Sequence, residues 1–515
     1  VLVLVLVLVL DTRTWSQGSG SGSSTSTSAS TTDEEESGSG SAVHLVAPKD
    51  PKARPGWLKE HLEAALARPT LGKAKVAVAV YDLQAGAELY AHDADAGMNL
   101  ASNAKLLTSV AALGTLGGGF RWRTAVYADE LDEATGIVKG NLYVRGRGDP
   151  MLSAGDLRAL ADDVAARGVR TVEGQLVIDG SYFDDQVEPP HYADQPKERA
   201  GFRAPVASFG VARSAVTVII TPEPGADARA RLEPDAGDYV KLAKVDVKTI
   251  ADGKTRVRVD AKPKRDHLEL EITGQIRPAD GSYDRRERVD DPQRFAAEVL
   301  RRALAERGVH VAKRALGSGP VPPTAKLIAE HDSPPLATVV RDMNKYSDNY
   351  VAESVLKTLG AETRATPGPA TWADGTAAVK AYLAKVGLPA GSYRAENGSG
   401  LFGASEVSAH QITTLLRAAH ADYRVGPDLV ASLPVGGQDG TLAKRWHGHE
   451  AAGRVRAKTG TLDKVITLAG YVGVDGGHPL AFAIFVNDIP AGQRPAARAL
   501  ADDMIDALVA YLEAR

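Results

Sequence analysis

Three short segments, Ser102-Asn103-Ala104-Lys105, Ser347-Asp348-Asn349 and Lys458-Thr459-Gly460, are spread over most of the chain yet carry the residue types that one acyl-transfer site needs. A hydroxyl, two amines and an amide act on one scissile bond only if the fold brings these segments together. Each segment also has a plain structural reading: a capped helix with a solvated lysine, an N-cap composition, and a basic turn entering a strand. Their order and local settings favour a shared site.

Ser102 opens a helix pattern in which Leu106, Leu107, Val110, Ala111 and Leu113 recur with the helical period until Gly114, and Gly117-Gly118-Gly119 stops it. Three residues apart on a helix, Ser102 and Lys105 share a face. The amine can take the hydroxyl proton if burial or a neighbouring cation lowers its proton affinity. The helix start also offers the Ser102 N–H to an oxyanion. Ser347 and Asn349 follow the helix pattern Pro335 to Met343, where Ser347 can relay a proton to a leaving nitrogen and Asn349 can hold Lys105 and a substrate backbone. Lys458 to Thr461 reads as a strand, with Lys458 and Gly460 on one face and Thr459 and Thr461 on the other. Gly460 permits close approach of a substrate backbone. From a twisted edge, Lys458, Thr459 and Thr461 can together receive a carboxylate, and the Thr461 N–H is a second oxyanion donor.

At 515 residues the chain has room for roughly three folded units. Trp57 to Ala67 has helical spacing; Lys75 to Leu83 and Glu88 to Tyr90 read as a hairpin around Gln84-Ala85-Gly86. From about Phe120 to Leu327 short strand candidates dominate, including Gly140 to Arg145, Gly174 to Ile178, Ala215 to Ile220, Lys254 to Val259 and Leu268 to Gly274. Helix patterns at Ala154 to Arg167 and Pro292 to Arg307 interrupt them. The last third returns to helices at Asn349 to Leu359, Thr371 to Val386 and Ser408 to His420, then a hairpin of Val465 to Val474 and Leu480 to Asn487, and a closing helix from Pro495 to Leu512. These patterns predict an α+β fold whose single antiparallel sheet is assembled from both chain ends, flanked by helices and interrupted by inserted β-rich domains. The expected division is 1–41 apolar start and tether, 42–119 first part of the catalytic domain, 120–327 inserts, and 328–515 second part.

The alternating tract Val1 to Leu10 is too short to span a membrane as a helix, which needs about 20 residues. It is either the remainder of an export signal, without the expected basic flank, or a start without structural meaning. The Gly/Ser/Thr-rich stretch Gln17 to Ser41 reads as a flexible tether, which suits a catalytic body held outside a membrane, with peripheral membrane association. The chain has no cysteine, which excludes disulfides and thiolate chemistry. With 61 Lys plus Arg against 65 Asp plus Glu there is no general basic field, and no nucleic acid partner is expected. His447 and His449 lack metal-ligand spacing, and no glycine fingerprint for a nucleotide is present, so no metal and no cofactor are expected.

Taken in order, the three segments resemble the motifs of the serine penicillin-recognising peptidases. The resemblance is closest to the low-molecular-mass class C penicillin-binding group of D-alanyl-D-alanine carboxypeptidases and endopeptidases (peptidase S13-like), in which extra domains separate the first two motifs. It extends from about Leu71 to the end and includes Gly148-Asp149-Pro150 with Leu152, Gly180 with Phe183-Asp184, Ala204-Pro205-Val206, Gly398-Ser399-Gly400-Leu401 and Asp439-Gly440-Thr441-Leu442. Two stretches depart from the group: Glu396-Asn397 stands where a single Asp is usual, and Phe209-Gly210-Val211-Ala212 lacks an expected Asn. The resemblance implies a β-lactamase/transpeptidase-like fold, peptidoglycan stem peptides and β-lactams as partners, and acylation of Ser102 by the penultimate D-alanine carbonyl. It implies catalytic roles for Lys105, Ser347, Asn349 and Lys458, substrate binding by Thr459, Gly460 and Thr461, and an exported location. A β-lactamase, esterase or amidase of the same fold, or a non-catalytic cell-wall binding protein, are the alternatives.

Overall fold

The computed structural model describes residues 45–195 and 198–515. The tract Val1 to Leu10 and the tether Gln17 to Ser41 lie outside the described residues. Lys75–Asp82 and Ala87–His92 form the expected hairpin, and Lys75–Asp82 pairs on its other side with Leu480–Asn487. The sheet continues through Val465–Val472 to Val455–Leu462, giving five strands with every pair antiparallel. It is built from both ends of the chain, as the two hairpin signals predict.

Val465–Val472 and Leu480–Asn487 are buried along their whole length, which is why both read as nearly unbroken apolar runs. One sheet face, through Val78, Val80, Ile484 and Val486, packs on the helices Arg54–Leu66 and Arg494–Glu513. The other face carries Ala77, Ala79, Ala481 and Ala483, small residues against which the helix Ala409–Ala421 packs. On that side the helix Ala104–Leu116 is buried continuously from Ala104 to Leu113. Its neighbours are Leu336–Tyr346, Asn349–Thr363 and Trp372–Lys385. A helix that is apolar on all sides belongs in a core, and this one brings Ser102 and Lys105 with it.

Between Arg123 and Asp332 the architecture changes. A mixed sheet of seven strands grows around the antiparallel pair Arg123–Asp132 and Ile137–Arg145. Lys326–Asp332 lies antiparallel beside the first of these and Leu176–Asp179 parallel beside the second. The helices Ala154–Ala166 and Pro292–Glu306 contribute Leu157, Leu160, Phe295 and Leu300 to its core. Two three-stranded sheets complete the region, one of Ala215–Thr221, Arg229–Glu233 and Tyr283–Arg288, the other of Val240–Thr249, Arg256–Pro263 and Leu268–Ile276. These elements share one hydrophobic cluster of their own. The apolar pattern does not single out Val240–Thr249, where lysines at exposed positions dilute the alternation, or Tyr283–Arg288, where charged residues fill even the buried positions Glu287 and Arg288.

Phe485 is fully buried on the sheet face that meets the helix layer. Phe485→Ala is expected to destabilise the protein by about 3–5 kcal/mol through lost burial and the cavity left behind. The measurement is the urea midpoint followed by circular dichroism, and an unchanged midpoint would contradict this account of the core.

Candidate active site

Ser102 does not sit inside the helix but in the short 3-10 turn Ala101–Asn103 that precedes it. Ala101 has φ 46°, a left-handed conformation that a non-glycine residue adopts only when its surroundings impose it. Two sheet strands impose it here. Asn487 Oδ1 accepts from Asn99 N–H at 2.8 Å and Asn487 Nδ2 donates to Asn99 O at 3.2 Å, while Asn99 Oδ1 accepts from Ala101 N–H at 2.9 Å. The Thr467 hydroxyl donates to Leu100 O at 2.8 Å and accepts from Asn103 Nδ2 at 2.6 Å. The turn is thus fastened to the sheet residue by residue.

Lys105 is fully buried, and its Nζ lies 3.0 Å from Ser102 Oγ, 2.7 Å from Asn349 Oδ1 and 3.0 Å from Ser399 O. The amide oxygen and the carbonyl can only accept. A neutral amine therefore gives its two hydrogens to them and turns its lone pair toward the Ser102 hydroxyl. Loss of hydration on burial pulls the Lys105 pKa down to about 7, against the opposing pull of Glu353 and Asp348. Glu353 is itself buried, and its carboxylate accepts from the N–H groups of Gly398 and Ser399, both at 2.9 Å. It thereby fixes the loop whose Ser399 carbonyl touches Lys105.

The second motif turns between two helices. Ser347 ends Leu336–Tyr346 in a left-handed conformation, φ 58°, and Asp348, not Ser347, caps Asn349–Thr363 by accepting from Val351 N–H at 2.9 Å. The Ser347 hydroxyl is thereby available to Lys458, whose Nζ donates to it at 2.9 Å and to Thr459 O at 2.8 Å. Lys458 is also fully buried; desolvation and then the charge of Lys105 hold its pKa well below the usual lysine range. Asn349 ties this motif to the first, since its Oδ1 accepts from Lys105 while its Nδ2 donates to Phe202 O at 3.2 Å.

The third motif lies on the edge strand Val455–Leu462. Ala457 N–H donates outward to Pro434 O at 3.0 Å and Val455 O accepts from Gly436 N–H at 3.0 Å. Antiparallel parity then directs the backbone groups of Thr459 and Thr461 outward as well. Thr459 is half-buried and shares a 2.7 Å hydroxyl contact with Thr441, while Thr461 is exposed. Gly460 differs from the expectation: the space a side chain would take is filled by Thr467 Oγ1, Leu100 O and Ala101 Cβ. On that face the chain itself approaches the glycine, which lets the Ser102 turn lie against the strand.

The structure thus joins Ser102, Lys105 and Asn349 in one hydrogen-bonded set and Ser347 with Lys458 in another, near enough for the charge of Lys105 to act on Lys458, with Thr459 and Thr461 following along the sheet edge. Glu353, Thr467 and Asn487 escape the sequence reading, and Ser399 and Thr441 enter it only within stretches that carry the resemblance, with no role of their own. Asn349, Glu353 and Lys357 are polar at helical spacing on a helix that is otherwise mostly apolar, a signal that could have exposed Glu353. The departure at Asn397 is resolved locally: its Oδ1 accepts from Gly400 N–H at 2.8 Å and its Nδ2 donates to Pro190 O at 3.1 Å and Leu401 O at 3.3 Å. An amide has the donor this position uses and a carboxylate lacks it.

Known proteins are similar to this chain over most of their length. The model of the D-Ala-D-Ala carboxypeptidase 3 (S13) family matches residues 58–510. The D-alanyl-D-alanine carboxypeptidase of Actinomadura sp. (strain R39) is 35% identical over 461 residues, covering 85% of this chain and 82% of that protein. D-alanyl-D-alanine carboxypeptidase DacB of Haemophilus influenzae is 28% identical over 410 residues, 76% of this chain and 81% of that one. The crystal structure of penicillin binding protein 4 (dacB) from Haemophilus influenzae has the same fold, with a TM-score of 0.70 at 22% identity over 87% of this chain and 99% of that chain. Because the matched span contains all three motif segments and most of the architecture around them, this chain belongs to the D-Ala-D-Ala carboxypeptidase 3 (S13) family.

Proposed function

We propose that Ser102 is the nucleophile with which this serine-type D-alanyl-D-alanine carboxypeptidase opens peptidoglycan stem peptides. The single observation that carries the assignment is the set of Lys105 contacts: two pure acceptors on one side and the Ser102 hydroxyl on the other. In this reading Lys105 takes the Ser102 proton as Oγ bonds to the penultimate D-alanine carbonyl carbon. The N–H groups of Ser102 and Thr461 hold the oxyanion. Ser347, hydrogen-bonded to Lys458, relays the proton taken by Lys105 to the departing D-alanine nitrogen as the C–N bond breaks; water then attacks the acyl carbonyl, and the proton it gives to Lys105 passes to Ser102 Oγ as the shortened peptide leaves.

Thr459 and Thr461 receive the terminal carboxylate through their hydroxyls, on the edge strand whose Lys458 is turned inward to Ser347. A β-lactam carries a carboxylate beside a reactive amide and enters the same path, stopping at the acyl-enzyme. A D-alanyl crosslink offers the same bond, so the reading extends to D,D-endopeptidase action. The separate hydrophobic cluster between Val126 and Ala329 supports treating 120–327 as inserted domains between 42–119 and 328–515. The substrate class supports an exported, periplasmic or extracytoplasmic place of action.

Intact-mass spectrometry after incubation with benzylpenicillin is expected to show one covalent adduct, lost in Ser102→Ala. A folded wild-type protein without adduct, and without D-alanine release from a diacyl-Lys-D-Ala-D-Ala peptide, would sink the assignment.

The Lys105 amine must be neutral to accept a proton, so acylation is expected to rise with pH along a limb centred near 7 and to level off above it. The sign follows from burial: a solvated lysine would place the same limb three or more units higher. Lys105→Ala is expected to slow acylation by about 10²–10⁴-fold and to remove that limb, read from penicillin acylation rates between pH 5.5 and 9. A limb that persists in the variant would assign it to another group.

A further inference from the structure

The chain enters the strand Ala215–Thr221 through three consecutive residues with positive φ: Ala212 at 51°, Arg213 at 57° and Ser214 at 48°. Such a conformation costs a non-glycine residue about 1–2 kcal/mol, so a run of three persists only where neighbours dictate it. Ala212 N–H donates to Leu152 O at 3.0 Å, Ser214 N–H to Val211 O at 2.9 Å, and Val289 N–H to Ser214 O at 3.0 Å. Arg286 Nη2 donates to Ala212 O at 2.9 Å. This is the segment where the family's usual Asn is missing, and its shape aims the Arg213 side chain.

Arg213 Nη2 donates to Asp342 Oδ2 and Nη1 to Asp348 Oδ2, each at 2.7 Å. Asp342 lies on the helix Leu336–Tyr346, and Asp348 caps the helix Asn349–Thr363. Between them stands the left-handed Ser347, and one guanidinium therefore spans the turn that presents Ser347 to Lys458 and Asn349 to Lys105. The three side chains are only 26%, 19% and 15% exposed, so the contacts are less screened than surface ion pairs. Two helix ends held by one planar fork have a defined spacing, which a single point charge would not give.

We propose that Arg213 is a positioning residue for acylation, fixing the Ser347 turn by holding Asp342 and Asp348 together. It touches no reacting atom and acts through the Ser347–Lys458 and Asn349–Lys105 contacts. The inference rests on the reading above that Ser347 and Asn349 serve the acylation of Ser102. Through this residue, a segment of the β-rich region reaches a motif of the catalytic body.

The test follows benzylpenicillin acylation of the full chain by intact-mass spectrometry over a range of concentrations, for wild type, Arg213→Ala, Arg213→Lys and Asp342→Asn. In R213A the limiting acylation rate is expected to fall ten- to a hundredfold, in keeping with a small misplacement of catalytic groups, with the half-saturating concentration changed by less than about threefold. R213K keeps the charge but cannot span both carboxylates with one fork, and is expected to lie between R213A and wild type. D342N leaves the Asp348 cap in place and is expected to slow the limiting rate about threefold or more through loss of one charge-assisted bond. Wild-type rates in folded R213A, or no gain in R213K over R213A, would overturn the proposal; if circular dichroism shows R213A unfolded, wild-type rates in R213K and D342N would do so. An adduct in wild type with unaltered variants defeats the positioning role alone, whereas no adduct in wild type defeats the nucleophile assignment and this inference with it.

Discussion

Removing an ammonium from water costs several kcal/mol even after a protein relaxes around it, and the site depends on Lys105 being placed where that penalty acts. The lysine is fully buried on a helix with no exposed face in its first ten residues. Its surroundings do not pair it directly with a carboxylate: the nearest partners are a hydroxyl, an amide oxygen and a carbonyl. Glu353, the buried acid that favours its charged form, is instead engaged by two backbone N–H groups. The balance leaves an amine that changes charge near neutrality instead of a permanent cation. Lys458 is also desolvated, and the charge of Lys105 adds to that in holding its pKa well below the usual lysine range.

That balance requires a rigid frame, because a shift of one ångström would admit water or break one of three contacts. The frame comes from the sheet. Thr467 and Asn487 are polar residues on otherwise apolar central strands, and both spend their side chains on the backbone just before Ser102. Gly460 completes the fit by leaving room for Leu100 and Ala101 against the edge strand. A side chain there would push the Ser102 turn away from the strand that bears Lys458. The strained Ala101 is thus held from the sheet, and the strain is located where geometry matters most.

Much of this is legible in the chain because the proposed nucleophile, base and carboxylate receptor need particular residue types at short spacings. Ser102 with Lys105, Ser347 with Asn349, and Lys458 with Thr459 and Thr461 are legible from their residue types, their order and local settings, and the family resemblance that these carry. The sheet assembled from both ends follows equally from hairpin signals near Gln84-Ala85-Gly86 and Asp475-Gly476-Gly477. What escapes is whatever acts across the fold. Thr467 looks like an ordinary β-former, Asn487 like a strand end and Glu353 like a solvated helix position, until their partners arrive from distant segments. The purpose of Gly460 is misread for the same reason: period-2 alternation gives its face but not what lies against that face. Parallel pairing of Leu176–Asp179 with Ile137–Arg145 is likewise invisible locally, because it is set by the helical crossover between them.

The long interval between the first two motifs is more than spacing. Phe202 O receives the Asn349 amide hydrogens, which leaves Asn349 Oδ1 facing Lys105. Were that carbonyl absent, either end of the amide could face the lysine, and an NH2 group there would repel an ammonium and offer no acceptor to an amine. Pro190 O holds Asn397 in the loop whose Ser399 carbonyl supplies another Lys105 contact, and Glu396 in the same loop meets His191 at 2.7 Å. Lys357, on the helix that bears Asn349 and Glu353, bonds to Asp184 and to Gln186 O. Pro190 and Phe202 therefore set hydrogen-bond directions around the buried amine, while Asp184 and Gln186 hold the helix that bears Asn349. A chain that kept all three motifs but lost this segment would retain the reacting groups and lose the constraints that orient them.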